Sequence, residues 1–237
     1  MQLFFTQDIH DNIAHLPQSE ARHCIQVLRH REGDLLHLVD GQGNYYEGII
    51  IEAHKKSCVL SIQKHIPAYN SRSFYLHIGI APPKSIDRLE WFLEKATEIG
   101  IDEITPLRCR RSERKTIRTD RLEKVLLSAM KQSLKAQLPR LNELTSMEAF
   151  LKKPFRADAV QKFIAHCQTQ QLPLLKENYL PGQNVSILIG PEGDFHPEEI
   201  EAAIDAGYQA ISLGKSRLRT ETAGIVACHS CNLLTEM

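Results

Sequence analysis

Residues 185–200 read VSILIGPEGDFHPEEI. Val185 to Ile189 is an apolar run of strand length, and Gly190-Pro191-Glu192-Gly193-Asp194 is a turn-forming loop. Pro197, followed by Glu198 and Glu199, has the composition of a first helical turn. There proline sacrifices no hydrogen bond, and acids face the positive end of the helix dipole. A strand that runs through glycines into a helix is the unit of an α/β sheet, and open sheets of this kind bind ligands beyond the carboxyl ends of their strands. Glu192, Asp194, Glu198 and Glu199 would repel a phosphate, and the spacing matches neither the Walker A loop nor GxGxxG. The loop therefore suits a neutral or cationic ligand held by backbone groups, or else is a plain strand-to-helix connection.

A second stretch repeats the pattern. SLGKSRLRTETAG (212–224) follows the short apolar run 210–213 and leads into a helix from about Thr220 to Leu234. Arg219, Thr220, Glu221 and Thr222 place a cation, an anion and two hydroxyls at one helix N-terminus. Either they form a site, or Thr220 caps the helix while Arg219 pairs with Glu221. If both loops end strands of one sheet, they line one crevice.

The surrounding sequence supplies that sheet. FYLHIGI (74–80) reads as a strand, followed by Pro82-Pro83-Lys84 and a helix with Ser85 as N-cap and Asp87 in its first turn. Ile86, Leu89, Phe92, Leu93, Ala96 and Ile99 recur at helical spacing up to Gly100, and Trp91 on the same helix is read as packing. IDEITPL (101–107) is the next strand. Asp120 to Leu138 is predicted as one helix with Leu122, Val125, Leu126, Ala129 and Leu134 inward and Pro139 as its stop. A strand at 162–166 and a helix at 197–206 complete an α/β domain with a mostly parallel sheet. Before it, short β-rich runs at 35–40, 45–51 and 58–62, separated by glycine turns, predict a small barrel or sheet. Pro67 to Ser73 reads as the linker, which divides the chain into 1–70 and 71–237.

The composition is that of an ordinary globular protein: 237 residues, 42% hydrophobic and 24% charged, with 29 basic and 29 acidic side chains. This excludes a collagen-like, coiled-coil or disordered chain. No apolar run approaches the roughly 20 residues of a membrane span, and MQLFF lacks a basic leader, so neither membrane nor secretion is expected. Six scattered cysteines point to reduced thiols in a cytoplasm. Cys228-His229-Ser230-Cys231 is half of a zinc pattern without its second half, so no metal is expected. The balanced charge hides a basic block: residues 108–140 hold eleven Lys/Arg against three acids, either a footprint for nucleic acid or a solvated face.

LIGPEGDF (188–195) with LGKSRLRTETA (213–223) resembles the SPOUT class of S-adenosylmethionine-dependent RNA methyltransferases, specifically the RsmE family, which methylates N3 of a uridine in 16S ribosomal RNA. PPKSIDRLEWFLEKATEIGIDEITPL (82–107), RSER (111–114), KQSLKAQLP (131–139) and HCIQVLRHREGD (23–34) extend the likeness over nearly the whole chain. Asp194, where a third glycine is usual, and Arg217, where an apolar residue is usual, depart from the family pattern.

The resemblance implies a PUA-like RNA-binding β-barrel over 1–70 and a SPOUT methyltransferase domain over 71–237 whose last segments form a trefoil knot. It also implies a homodimer packed through the knotted faces, with Ile225, Val226, Leu233 and Leu234 of the last helix as candidate contacts. Ile189, Gly190, Pro191, Glu192, Gly193, Leu213, Gly214, Leu218 and Thr222 would hold S-adenosyl-L-methionine. In methyl transfer to N3, a carboxylate or a water takes the N3 proton; Arg219 is assigned to the anion developing on the uracil oxygens and Glu221 to that proton. Arg110, Arg111, Arg114, Lys115, Lys131, Gln132 and Lys135, with His23 and Arg29 from the barrel, are the RNA-binding candidates on the small ribosomal subunit. The alternatives are a SPOUT enzyme acting on a ribose 2′-hydroxyl or another base, or a non-catalytic RNA-binding assembly factor.

Overall fold

The structure is a computed structural model and describes residues 1–158, 160–169 and 171–236. The chain forms two compact units, one of residues 1–71 with 127–138, the other of 72–126 with 139–237.

The first unit is a six-stranded sheet. Its strands are β1 (Leu3–Phe5), β2 (Asp8–His10), β3 (Ile13–His15), β4 (Leu35–Val39), β5 (Tyr45–His54) and β6 (Ser57–Ile66), in the order β1-β4-β5-β6-β3-β2. Only the β1–β4 pairing is parallel. Helix α1 (Gln18–Arg22) and a π-helical turn (His23–Val27) cover its core of Phe4, Leu36, Leu38, Ile50 and Leu60. The Gly41–Asn44 turn is closed by Asp40, whose carboxylate accepts from the Gln42 N–H (2.8 Å) and the Asn44 side-chain amide (2.6 Å). A second cluster joins Leu3, Val39 and Tyr45 to Met130 and Ala136, so residues 127–138 are part of this unit although they lie far along the chain.

The second unit is a parallel sheet. It comprises β7 (Leu76–Ile80), β8 (Glu103–Arg108), β10 (Thr145–Ser146), β11 (Gln161–Ala165), β12 (Val185–Ile189) and β13 (Gln209–Ile211), in the order β10-β8-β7-β12-β11-β13. The short β9 (Arg140–Leu141) pairs along β8 beside β10. Every residue of β7 and of β12 is buried, as a central strand covered on both faces requires. Helix α2 (Ile86–Ile99) and α7 (Thr220–Glu236) pack on one face. Helix α4 (Met147–Leu151) and α6 (Pro197–Asp205) pack near a cluster of Leu107, Phe150, Ile164, Leu188 and Phe195 on the other. Helix α3 (Thr119–Gln132) leads out to the segment 127–138, and α5 (Leu175–Asn178) precedes β12.

Three expectations are corrected. The helix from Asp120 stops at Gln132 rather than Leu138, because Leu134 takes a left-handed backbone (φ 56°) and the Lys135 N–H turns back to the Met130 carbonyl (3.0 Å). Leu134 is exposed rather than inward, and Trp91 lies 43% exposed on α2 rather than in the core.

The approach of α7 to α2 depends on Gly224. A Cβ built there would lie 2.6 Å from the ring of Phe92 and 3.0 Å from Ile80, both fully buried. Gly224→Val should destabilise the protein by about 2–3 kcal/mol through overpacking, read as a lowered urea midpoint with unchanged slope. A variant as stable as the parent would show that the two helices can separate.

Candidate functional site

Because the sheet is parallel, the loops after β7, β8, β11, β12 and β13 all emerge at its carboxyl end. The loop after β12 is the best defined. The Asp194 N–H donates to the Pro191 carbonyl (2.9 Å), and a Cβ at Gly190 would meet the Phe195 ring at 3.0 Å, so a side chain there would press on that ring. Asp194 occupies the left-handed region (φ 62°), the conformation glycine adopts most freely. Its carboxylate accepts from the Phe195 N–H (2.8 Å) and from the Cys167 N–H (2.9 Å), which fastens this loop to the one after β11. Asp194 thus holds by side-chain bonds the backbone turn that glycine would adopt freely. Beside it, burial lowers the pKa of His166, opposed by Asp194, so the imidazole is neutral at pH 7.

The loop after β13 is more open. The Ser212 N–H donates to the Pro173 carbonyl (2.9 Å), and Ser212 Oγ lies 3.2 Å from both the N and the O of Gly214. Gly214 has φ 128° with nothing within 4 Å of its missing Cβ. Leu213 and Leu218 are half-buried, while Lys215 to Arg217 are exposed. Helix α7 then begins against the first loop, since Thr220 Oγ1 donates to the Gly190 carbonyl (3.1 Å). The structure therefore brings Gly190 and the Arg219-Thr220-Glu221-Thr222 helix start to one place. Arg219 is exposed, whereas Glu221 is 7% exposed with Oε1 3.8 Å from Arg88 Nε. Arg88 has no counterpart among the sequence-derived candidates. Its helical spacing from Phe92 is the signal that could have found it.

The basic loop after β8 divides in two. Arg111 donates to the carbonyls of Gly193 (2.8 Å) and Phe195 (3.2 Å), and Arg114 to those of Pro83 (3.2 Å) and Lys84 (2.5 Å). Glu192 completes the stapling by accepting from the Lys84 N–H (3.1 Å). These two arginines, candidates for RNA phosphates, are tied to the backbone of the glycine loop and of the loop after β7. Arg110 pairs with Glu198 (2.5 Å), which lowers that carboxyl's pKa. The Arg110 N–H and the His196 N–H share the Glu199 carboxylate (2.9 Å each).

The side chains of Arg108 and Lys115 have no hydrogen-bond or ion-pair partner among the described residues. Both line a cavity of about 740 Å³ whose apolar wall includes Met147, Leu151, Ala202 and Ala206. Burial, with Glu199 adding to it, pushes the Cys109 thiol in that wall up to about 12. In the first unit Lys131 pairs with Glu20 (2.5 Å), the His23 ring meets the Gln2 amide (2.8 Å), and Gln132 and Arg29 are exposed, Arg29 with φ 61°. Lys135 is half-buried. Cys228 and Cys231 are both buried in α7.

Comparison with known proteins places this arrangement. The RNA methyltransferase domain model matches residues 70–232, and an RNA methyltransferase PUA domain model matches 16–63. A probable rRNA-methyltransferase from Porphyromonas gingivalis is 40% identical with a TM-score of 0.92, over 100% of this chain and 99% of that one. The chain belongs to the ribosomal RNA small subunit methyltransferase E family. The S-adenosyl methionine-bound methyltransferase E from Neisseria gonorrhoeae superposes with a TM-score of 0.87 at 25% identity, over 99% of this chain and 98% of that one. The methyltransferase E of Bacillus subtilis is 25% identical over 100% of this chain and 98% of its own length. As a methyltransferase E, the chain is an RNA methyltransferase with a SPOUT-type parallel sheet and a PUA-like N-terminal unit.

Replacing Asp194 tests how this member of the family holds its loop. Asp194→Ala removes two hydrogen bonds and keeps the left-handed strain, a loss of about 2 kcal/mol. Asp194→Gly removes the bonds but also the strain and should lose about 1 kcal/mol less. Chemical denaturation of the two variants checks the order; equal losses would mean that the backbone conformation is not strained.

Proposed function

We propose that this chain transfers the methyl group of S-adenosyl-L-methionine to N3 of a uridine in 16S ribosomal RNA of the small subunit. The observation that carries the reading is the meeting of the Gly190 loop with the N-terminus of α7 through Thr220, which sets Arg219 and Glu221 beside the glycine loops. The residues fit the methyl donor. Gly190 and Gly214 present backbone without side chains, Leu213 and Leu218 offer apolar surface, and the acidic loop suits a sulfonium and an ammonium rather than a phosphate.

In this reading Ile189 to Gly193, Leu213, Gly214, Leu218 and Thr222 hold the donor, which supplies an electrophilic methyl carbon with a neutral sulfide as leaving group. Neutral uracil carries a proton on N3, and that proton must leave as the N–C bond forms. Glu221 accepts it, and the exposed guanidinium of Arg219 stabilises the charge spreading to the uracil oxygens. Holding nitrogen and methyl carbon in line supplies the rest of the rate.

Residues 1–70 serve as the RNA-binding PUA-like domain and 71–237 as the catalytic domain with the trefoil knot of its class. The working form is a cytoplasmic homodimer with Ile225, Val226, Leu233 and Leu234 at its contact; Leu233 is 44% exposed. Arg108 and Lys115 join the RNA-facing cations, because among the Lys and Arg of 108–115 theirs are the side chains that lack a protein partner among the described residues.

Incubation with S-adenosylmethionine and unmodified small subunits, followed by nucleoside mass spectrometry, should yield 3-methyluridine; a ribose-methylated or different base product would redirect the assignment. Arg219→Ala should lower turnover by about 10²–10³-fold while leaving the fold intact. The double variant R108E/K115E should flatten the logarithmic salt dependence of RNA affinity by roughly one to two units. An unchanged slope would return both residues to a merely solvated face.

A further inference from the structure

Helices α2 and α7 lie alongside each other with partners repeating about every turn. Arg88 faces Glu221, Phe92 faces Gly224, Cys228 Sγ lies 3.9 Å from the Ala96 carbonyl, and the Asn232 amide donates to the Gly100 carbonyl (2.9 Å). The lower three contacts are buried packing and leave nothing for a ligand. The top one is different. Arg88 presents the one cation within 4 Å of Glu221 among the described residues, and it does so on Oε1. Glu221 Oε2 is buried and has no hydrogen-bond partner among the described residues. A buried carboxylate oxygen without a donor is costly, and such an oxygen in a native fold needs an explanation. The cation that Arg88 holds beside the same carboxylate offsets that cost.

We infer that Arg88 is a positioning residue for the methyl transfer: its guanidinium, beside Oε1 of Glu221, holds the carboxylate at the start of α7 in the orientation in which it receives the acceptor's proton. The inference rests on the assignment of Glu221 as the base. Arg88 acts through the carboxylate rather than on the RNA. The geometry follows from the fold, because Glu221 sits three residues before Gly224 and Arg88 four before Phe92. The contact that seats α7 on α2 thus also sets the distance between carboxylate and guanidinium.

The test is a double-mutant cycle on the full-length protein with small subunits as substrate. Glu221→Gln should lower kcat by about 10²–10⁴-fold. Arg88→Ala should lower kcat by about 10–100-fold with KM for RNA and cofactor affinity little changed, and Arg88→Lys should restore part of the loss. In the Glu221→Gln background, Arg88→Ala should cost nothing further. Thermal unfolding of the singles verifies that Arg88→Lys is folded. Additive losses in the cycle, or a rise in KM for RNA that accounts for the whole effect, would overturn the role of Arg88 while leaving Glu221 in place. Undiminished turnover of Glu221→Gln would overturn both.

Discussion

The missing side chain at Gly224 is the constraint on which the catalytic unit depends. It lets α7 settle against Phe92 and Ile80, over the central strands β7 and β12. With α7 at that depth, its first turn reaches the Gly190 carbonyl through Thr220, and Glu221 becomes buried beside Arg88. A helix held about an ångström further out would leave Glu221 on an ordinary surface beside the exposed Arg219. The packing of this unit and the seat of the Thr220–Glu221 helix start are therefore set by one close contact.

On the other side of the glycine loop the constraint is electrostatic. Carbonyls of residues 83, 84, 193 and 195 converge on the guanidinium groups of Arg111 and Arg114. Carbonyl oxygens at loop turns lack ladder partners, and the fork of an arginine satisfies two at once. Charge in this segment shapes the pocket walls as well as facing solvent. Arg108 and Lys115 remain unengaged because their side chains line the separate cavity formed with α4 and α6.

Much of the fold was legible in the sequence. The apolar runs at 74–80 and 185–189 and the helical periodicity from Ile86 appear as β7, β12 and α2 because burial on both faces of a sheet, or one face of a helix, leaves a simple period. The three-residue strands β1 to β3 were not legible, since their pairing lies in partners elsewhere in the chain. Leu134 misled because an apolar residue in phase with a helix says nothing of where the backbone turns over. At the site, the two glycine loops and the Arg219–Glu221 motif were visible as types and spacing. That Arg111 and Arg114 staple loops was not visible, because counting charge does not reveal which oxygens a guanidinium meets. Arg88 escaped notice for the same reason, as its pairing with Glu221 exists only across two helices far apart in the chain.

The first unit is discontinuous: Met130 and Ala136 complete a cluster begun by Leu3, Val39 and Tyr45. During synthesis, the nascent N-terminal sheet must wait for more than fifty further residues before that cluster can close. The ribosome thus releases the two units in an interleaved order, and neither can be cut free at the linker without exposing apolar surface. What looks like a modular pairing of a recognition domain with an enzyme is, in its covalent path, a single folding problem.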